Sequence, residues 1–318
     1  MMFLCVSPNP AVDKRVLLDE LKPGQIHRVR SARAHAGGKA AHVAMTLRTL
    51  GELPLWIGFV GGETGADLVS GLNQLGIRTQ ACPTQKKTRV NLELIEDSGR
   101  VSEILEPGCP PTELEVIEFQ KVCESAFAQG QKELTVIFSG SIPRGLGVGF
   151  YASLIKSANS FGCRTLLDTS GEPLREALAA CPQFVKPNRQ EAEALLGQGI
   201  IDVSQGALAV QRLVSLGARS AAISLGQQGL LWCAGRGQPV YHGPAIVVQA
   251  RSTVGCGDAV VAAFAYATTR GCTEEETVKL ATACAAANCL ADSPGAARPA
   301  DIENFRKQAQ VNLLDESV

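Results

Sequence analysis

Residues 134–139 read Leu-Thr-Val-Ile-Phe-Ser, a short and almost uninterrupted apolar run. Runs of this kind are typical of strands in parallel sheets that helices cover on both faces. Similar short runs recur along the chain at Phe3–Ser7, Leu53–Phe59, Arg164–Asp168, Phe184–Lys186 and Ser220–Leu225. Because longer helical stretches separate them, the sequence predicts an α/β fold with a mostly parallel sheet between two layers of helices.

The intervening segments repeat apolar residues with helical spacing. The predicted helices are Ala40–Leu50, Thr64–Leu75, Pro111–Ala128, Leu174–Ala180, Ala207–Leu216 and Asp258–Arg270. Two other segments, about 12–35 and 84–105, alternate apolar and polar residues and predict a small antiparallel sheet that acts as a lid. No linker or low-complexity tract divides the chain, so we expect residues 1–318 to form a single α/β domain.

The composition narrows the class of protein. Of 318 residues, 45% are hydrophobic and 19% charged, which allows a large core. The formal net charge of -1 offers no basic surplus for nucleic acid or for an anionic membrane. Eleven cysteines are scattered without a CxxC pair, which favours buried thiols in a reducing compartment over zinc or disulfides. Since the N-terminus lacks the pattern of a signal peptide and no apolar run is long enough to span a membrane, we expect a cytoplasmic protein.

The stretch 252–258 reads Ser-Thr-Val-Gly-Cys-Gly-Asp and stands between a predicted strand, Ala245–Gln249, and an apolar helix. Gly255 and Gly257 allow a tight turn that gathers backbone N–H groups at the helix N-terminus, where an anion is favoured. Asp258 then has two interpretations: a helix N-cap, or a general base that takes a proton from an attacking hydroxyl. A P-loop is absent, and Gly-x-Gly lacks the third glycine of a dinucleotide fingerprint.

Two further stretches combine turn residues with charge. In Gly37–His42, Lys39 could bind a phosphate or remain a solvated lysine, and His42 could be a ligand or structural. In Lys186–Glu191, Asn188 and Glu191 have the spacing of a capping box. Glu191 could equally organise Mg²⁺ through water, because magnesium needs few carboxylates.

Seven segments taken together resemble the PfkB, or ribokinase-like, family of carbohydrate kinases, in the family's own order. They are Asn9–Asp13, Ala36–Lys39, Ser139–Pro143, Asp168–Gly171, Lys186–Glu191, Ser224–Gly229 and Ser252–Asp258. Lys39, Thr88–Asn91 and Glu103–Gly108 resemble the branch of 1-phosphofructokinase and tagatose-6-phosphate kinase. The resemblance implies a ribokinase-like α/β/α fold with a small β lid that often mediates a homodimer.

The resemblance also implies roles for individual residues, with ATP and Mg²⁺ as cofactors and with a monovalent cation such as K⁺ as a further candidate. Asp258 would be the base, and the amides of Gly255, Cys256 and Gly257 would stabilise the transferring group. Residues that would contact the sugar phosphate are Asp13, Arg28, Gly38, Lys39, His42, Arg89, Asn91 and Ser139. Residues that would contact the nucleotide are Lys186, Asn188, Glu191, Ser224, Gly226 and Gly229, with Glu191 also serving the metal.

The chain departs from the family pattern at three positions. Ala40 and His42 replace a glycine and a sugar-contacting asparagine, and Cys256 stands where alanine is usual. The first two alter the sugar pocket, whereas Cys256 acts mainly through its amide. The sequence therefore predicts a phosphosugar kinase with fructose 1-phosphate, tagatose 6-phosphate or fructose 6-phosphate as acceptor. A non-catalytic sugar-phosphate sensor is the alternative, and an oxidoreductase lacks its glycine motif after the first strand.

Overall fold

The structure is a computed structural model and describes residues 3–314. The strands in this range are β1 (Phe3–Ser7), β2 (Ala11–Leu18), β3 (Ser31–Gly37), β4 (Leu55–Val60), β5 (Arg78–Pro83), β6 (Arg89–Glu96), β7 (Val101–Ile104), β8 (Thr135–Ser139), β9 (Arg164–Asp168), β10 (Phe184–Val185), β11 (Ser220–Ser224), β12 (Leu230–Cys233), β13 (Val240–Gly243) and β14 (Asn312–Leu314). The helices are α1 (Lys39–Thr49), α2 (Gly62–Gln74), α3 (Glu113–Gly130), α4 (Phe150–Ser160), α5 (Gly171–Leu178), α6 (Arg189–Leu196), α7 (Val203–Ser215), α8 (Cys256–Arg270), α9 (Glu274–Leu290) and α10 (Pro299–Gln308).

The large sheet contains ten strands in the order β14-β13-β12-β11-β10-β9-β8-β1-β4-β5. Neighbours from β5 through β11 pair in parallel, whereas β11 to β14 form an antiparallel edge. The predicted α/β class with a mostly parallel sheet is confirmed. The bounds of β1 and β9 coincide with those predicted, because apolar runs ended by polar residues mark buried strands well.

Helices cover both faces of this sheet. Phe3 and Cys5 of β1 belong to one core cluster, and Leu4 and Val6 belong to the other, because successive side chains of a strand point to opposite faces. Helices α3 to α7 supply the cluster that contains Leu4, and α1, α2, α8, α9 and α10 supply the cluster that contains Phe3. Each fully buried Leu or Phe contributes about 1.5–3 kcal/mol by leaving water.

The small sheet has the order β3-β2-β6-β7 and comes from the two segments predicted as a lid. Its outer pairs are antiparallel, and its central pair, β2 with β6, is parallel. The register places Asp13 of β2 opposite His35 of β3 and Asn91 of β6. Three polar side chains thus meet on neighbouring strands.

One predicted strand, Ala245–Gln249, is wrong. Residues 244–250 have no regular structure, and the preceding strand β13 ends at Gly243. Pro244 has no N–H to donate to a neighbouring strand, and Val247 is 96% exposed. The apolar residues of this segment therefore do not mark a buried strand.

The carboxyl ends of the parallel strands mark the site. Along the chain, β4 and β5 follow β1 on one side, and β8 to β11 lie on its other side, so the strand order reverses at β1. Ligands of open α/β sheets bind outside the carboxyl ends of the strands at such a reversal. The segments after Ser7, Ser139 and Asp168 lie at these ends. Within residues 3–314 we find no helix that is both long and apolar enough to cross a membrane.

Candidate active site

The first turn of α8 carries Asp258, whose interpretation as an N-cap is wrong. The N-cap is Gly255, which has a φ of 81° and makes no side-chain capping bond. Glycine suits this position because φ is left-handed and because a Cβ would lie 2.7 Å from Cβ of Pro294. Asp258 sits three residues later and is buried, with its carboxylate directed to another helix.

The N-terminus of α8 has the character of an anion site. The first N–H groups of a helix lack intrahelical partners and lie at the positive end of its dipole. Lys186 is buried next to this turn. Its Nζ lies 3.1 Å from where a Cβ on Gly257 would stand. Cys256 turns its Sγ towards α9, at 3.3 Å from Sγ of Cys289. The amide of Cys256, which was expected to stabilise a transferring group, donates to the carbonyl of Thr253 at 3.3 Å, because the backbone turns tightly before α8.

His42 joins Asp258 to Asp13. Its Nδ1 lies 2.9 Å from Oδ2 of Asp258, and its Nε2 lies 3.0 Å from Oδ2 of Asp13. The first contact is a well-directed hydrogen bond, whereas the second is an ion-pair contact in which the N–H points away from the oxygen. Burial alone would lower the pKa of His42, but hydrogen bonds and charge from the two carboxylates raise it to about 10. His42 is therefore an imidazolium at neutral pH.

Asp13 accepts two hydrogen bonds and also faces the charged ring of His42. Its Oδ1 accepts from Nδ2 of Asn91 at 2.9 Å, and its Oδ2 accepts from the amide of Gly38 at 3.1 Å besides facing His42. Burial would raise the pKa of Asp13, yet His42, the Gly38 amide and Asn91 lower it to about 2. A Cβ on Gly37 would lie 2.2 Å from Cγ of Asp13, so only glycine permits this approach. A carboxylate has about four acceptor positions, which leaves one for a ligand hydroxyl.

Two lysines share one buried carboxylate, Asp168, at the end of β9. Nζ of Lys39 lies 3.4 Å from Oδ2 of Asp168 and 4.0 Å from Oε1 of Glu191, and Nζ of Lys186 lies 3.7 Å from Oδ1 of Asp168. Burial would lower the pKa of Lys39, but Asp168, Glu191 and Asp258 together raise it above its ordinary value. Lys39 thus remains charged beside the anion site, and Lys186 pairs with the same carboxylate from the other side.

The capping box predicted at the start of α6 is confirmed. The Asn188 side chain accepts from the Glu191 amide at 2.9 Å, and Oε2 of Glu191 accepts from the Asn188 amide at 2.8 Å. The other oxygen of Glu191 faces Lys39. One carboxylate thus serves the local turn and also faces the centre of the site.

The predicted nucleotide residues lie at the ends of neighbouring strands. Ser224 ends β11, and its amide donates to the carbonyl of Pro187 at 3.3 Å, which places it beside Asn188. Gly226 has a φ of 61° and open space where a Cβ would stand, so a ligand can approach its backbone. Gly229 instead has a structural reason to be glycine, because a Cβ would lie 2.1 Å from the Gly243 carbonyl oxygen.

Four of the predicted sugar-phosphate contacts lie in different surroundings. Arg89 directs its guanidinium to the backbone carbonyls of Asn9, Pro10 and Glu106. Ser139 ends β8, and among residues 3–314 neither its buried Oγ nor Oδ1 of Asn91 has a hydrogen-bond partner. Buried polar atoms without a protein partner are uncommon, so these two atoms are candidates for contacts with a ligand. Arg28 is exposed in the loop between β2 and β3 and, within the described range, makes no ion pair.

The sequence prediction missed residues that support the site. Asp168 belongs to one of the segments that resemble the family but is not among the predicted site residues, although a polar residue at the end of a buried strand is a signal for one. Asn288 of α9 donates to the Val254 carbonyl and accepts from the Gly295 amide, both at 2.8 Å, and so fixes the turn before α8. Ser252 donates to buried Glu93 of the small sheet at 2.7 Å. No local pattern announces these long-range contacts.

The donor set suits a nucleotide-bound magnesium better than a resident metal. Residues 3–314 contain no group of three or more His, Cys, Asp or Glu side chains able to hold a metal ion. Glu191 offers one carboxylate, and magnesium usually takes one or two carboxylates with waters and phosphate oxygens. The site therefore fits Mg²⁺ that arrives with the nucleotide.

Comparison with known proteins agrees with this geometry. Residues 9–301 match the family described as pfkB family carbohydrate kinase. The chain is 36% identical over 288 residues to the 1-phosphofructokinase of Xanthomonas campestris pv. campestris, covering 89% of each. It is similar to Escherichia coli phosphofructokinase-2 in complex with substrates and products, with a TM-score of 0.89 and 26% identity over 96% of this chain and 98% of that one. Structures of the same enzyme in complex with potassium and in a tetrameric inhibited form have TM-scores of 0.88 and 0.87 at 26% identity, with the same coverage.

Proposed function

Because the chain belongs to the PfkB family of carbohydrate kinases, we propose that it transfers the γ-phosphoryl group of ATP to a hydroxyl of fructose 1-phosphate. Several relatives, including that of Xanthomonas campestris, carry the name 1-phosphofructokinase. Tagatose 6-phosphate and fructose 6-phosphate are the rival acceptors. The observation that carries the proposal is a buried carboxylate, Asp258, three residues after the glycine cap of a helix whose N-terminus favours anions.

In the proposed reaction Asp258 takes the proton of the acceptor hydroxyl as its oxygen bonds to the γ-phosphorus, and the bond from that phosphorus to the β-phosphate oxygen breaks to release ADP. A positioned general base typically contributes 10²–10⁴-fold. The backbone at the N-terminus of α8, with Lys186 buried beside Gly257, would stabilise the charge that develops on the transferring group, and the Cys256 amide would take part by exchanging its bond to the Thr253 carbonyl for one to the ligand.

The two substrates would be held on opposite sides of this centre. Asp13 has one acceptor position free for a sugar hydroxyl, and the unpaired Oγ of Ser139 and Oδ1 of Asn91 offer further polar contacts. Lys39 would bind the phosphate already on the sugar. Arg89 would assist this contact with its charge, although its guanidinium also ties the backbone around Asn9.

Nucleotide contacts would come from the strand ends beyond Lys186. Asn188 and Glu191 would hold Mg²⁺, which would offset the negative charge of the ATP phosphates. The backbone at Gly226 is open to an adenosine moiety. A monovalent-cation requirement also stays a prediction, since the potassium complex belongs to the Escherichia coli relative.

A homodimer through the small sheet likewise stays a prediction. Apolar side chains are exposed on the strands and loops of this sheet, with Ile26 at 96% and Leu105 at 60%. A second copy would remove such side chains from water. The relative from Escherichia coli is also described as a tetramer in an inhibited form.

The decisive experiment is a panel of acceptors with the purified protein. Mg-ATP would be combined with each of the three sugar phosphates and with unphosphorylated fructose, and ADP release would be coupled to a spectrophotometric readout. We expect the highest kcat/KM with fructose 1-phosphate. Sugar-phosphate binding measured by calorimetry without ADP from any acceptor would refute the kinase and favour the sensor.

A further inference from the structure

We propose that His42 is a positioning residue for phosphoryl transfer, which holds the carboxylate of Asp258 in place and connects it to Asp13. This inference rests on the proposed function, since it takes Asp258 as the base. It replaces the expectation from sequence that His42 contacts the sugar.

The burial of His42 argues against a direct contact with substrate. Its side chain is 4% exposed, and its two ring nitrogens face Asp258 and Asp13 at 2.9 and 3.0 Å. To reach a sugar hydroxyl, the ring would have to release one of these carboxylates. A buried carboxylate that loses its cationic partner is strongly destabilised, because its charge is left without water or a counter-charge.

The backbone of His42 is fixed from two directions. Oγ1 of Thr46 donates to the His42 carbonyl oxygen at 3.0 Å. Gly295 packs so closely that a Cβ there would lie 2.9 Å from the same oxygen. Ala40, in the same turn of α1, is completely buried, and its small side chain allows the helix to pack closely against the rest of the core. The imidazole therefore extends from a rigid support, as a positioning residue requires.

The two flanking carboxylates require a charged ring. Neutral imidazole keeps one unprotonated nitrogen, which would face one of the two carboxylates, whereas the imidazolium is protonated on both nitrogens and so presents positive charge to Asp13 and Asp258 alike. The nearby arginine does not neutralise Asp13 or Asp258 in place of His42, because Arg15 pairs with Glu93 of the small sheet at 2.8 Å. Burial, the largest effect, lowers the pKa of His35, which leaves it neutral. His42 is thus the cation between the two acids.

This arrangement gives the two carboxylate oxygens of Asp258 different roles. Oδ2 is bound by His42, which leaves Oδ1 to accept the proton of the acceptor hydroxyl. His42 keeps both of its own protons throughout the transfer. Since Asp13 binds the sugar and also faces His42, the orientation of the base and the position of the substrate are set through one side chain.

The first experiment separates positioning from contact. In His42→Ala we expect kcat to fall ~10²-fold, as for a reacting group displaced by about 1 Å, with a far smaller change in KM for the sugar phosphate. Added imidazole should restore part of kcat, whereas pyrazole, which has a similar size and stays neutral, should not. An unchanged kcat with a raised KM, or equal effects of the two azoles, would overturn the inference.

A second variant covers the case in which His42→Ala does not fold. His42→Asn keeps an amide donor but carries no charge. We expect kcat of the wild type to decline as pH approaches about 10, where His42 loses its proton, and kcat of His42→Asn to be lower and without this alkaline decline. Identical alkaline limbs in the two proteins would contradict the role.

The ring itself can be observed independently of turnover. In a ¹⁵N NMR titration both ring nitrogens of His42 should remain protonated at pH 8, and Asp258→Asn should lower the midpoint. A His42 that titrates near its ordinary pKa of 6.5 overturns the inference even in an active enzyme. A wild type without turnover on any acceptor overturns the proposed function instead, so the two failures are distinguishable.

Discussion

Gly37→Ala tests whether the placement of Asp13 controls the reaction. A Cβ at this position would lie 2.2 Å from both Cγ and Oδ2 of Asp13, whereas ordinary contacts begin near 3.4 Å. The carboxylate must therefore move by about 1.2 Å. It cannot do so freely, because it is held by Asn91 at 2.9 Å, the Gly38 amide at 3.1 Å and His42 at 3.0 Å.

The expected loss follows from this displacement. Misplacing a positioned group by 1 Å can cost ~10²-fold in rate. Since Asp13 is proposed to bind the sugar and also faces His42, the residue proposed to hold the base, we expect kcat/KM for the sugar phosphate to fall by ~10²-fold or more. Each weakened hydrogen bond should also remove about 0.5–1.5 kcal/mol from the free energy of unfolding.

Gly147→Ala is the matched control. Among residues 3–314, no atom lies within 4 Å of where a Cβ on Gly147 would stand, and the φ of Gly147 is not left-handed, so alanine should be accommodated there. Both variants would be assayed by steady-state kinetics with the preferred acceptor, by calorimetry with ATP, and by urea unfolding. We expect nucleotide affinity to remain close to that of the wild type in both. Wild-type kcat/KM in a folded Gly37→Ala would refute the reasoning.

Two further predictions concern the charged groups. Asp258→Asn should lower kcat by 10²–10⁴-fold while ATP binding, measured by calorimetry, is largely retained; substantial turnover would rule out the assigned base. Stability should also depend on the His42 proton: its contribution is complete below pH 6.5 and is lost as pH rises through about 10. Between these values the unfolding free energy of the wild type should fall by about 1.4 kcal/mol per pH unit relative to His42→Asn. Parallel urea-unfolding results at pH 7 and 8.5 would contradict this, and that window lies below the pH at which Lys39 titrates.

The parts of the fold that depend on local patterns were predictable. Strand bounds such as Phe3–Ser7 follow from apolar runs, and the Asn188–Glu191 capping box follows from residues three apart. The false strand Ala245–Gln249 shows the limit of this approach, since a run that resembles a strand still needs a partner strand. Pairing is a property of the whole sheet.

The chemistry of the site was predictable in its residue types and less so in its contacts. The blocks that resemble the family indicated Asp13, Lys39 and Asp258, but Asp258 and His42 are separated by 216 positions in the chain. Nothing in the sequence around either residue reports their contact. The order of the motifs could not show that His42 faces two carboxylates, because that depends on how α1 and α8 pack.

The ion pairs of Lys39 have a consequence for the release of ligands. With Asp168 at 3.4 Å and Glu191 at 4.0 Å, this ammonium already has anionic neighbours when no substrate is present. On the proposed role of Lys39, an arriving phosphate exchanges partners with these acids, so its affinity is the difference between two favourable interactions. When the doubly phosphorylated product leaves, Lys39 can form its ion pairs with the same carboxylates again. Charge balance in the resting protein thereby favours release, a step that limits turnover in many enzymes.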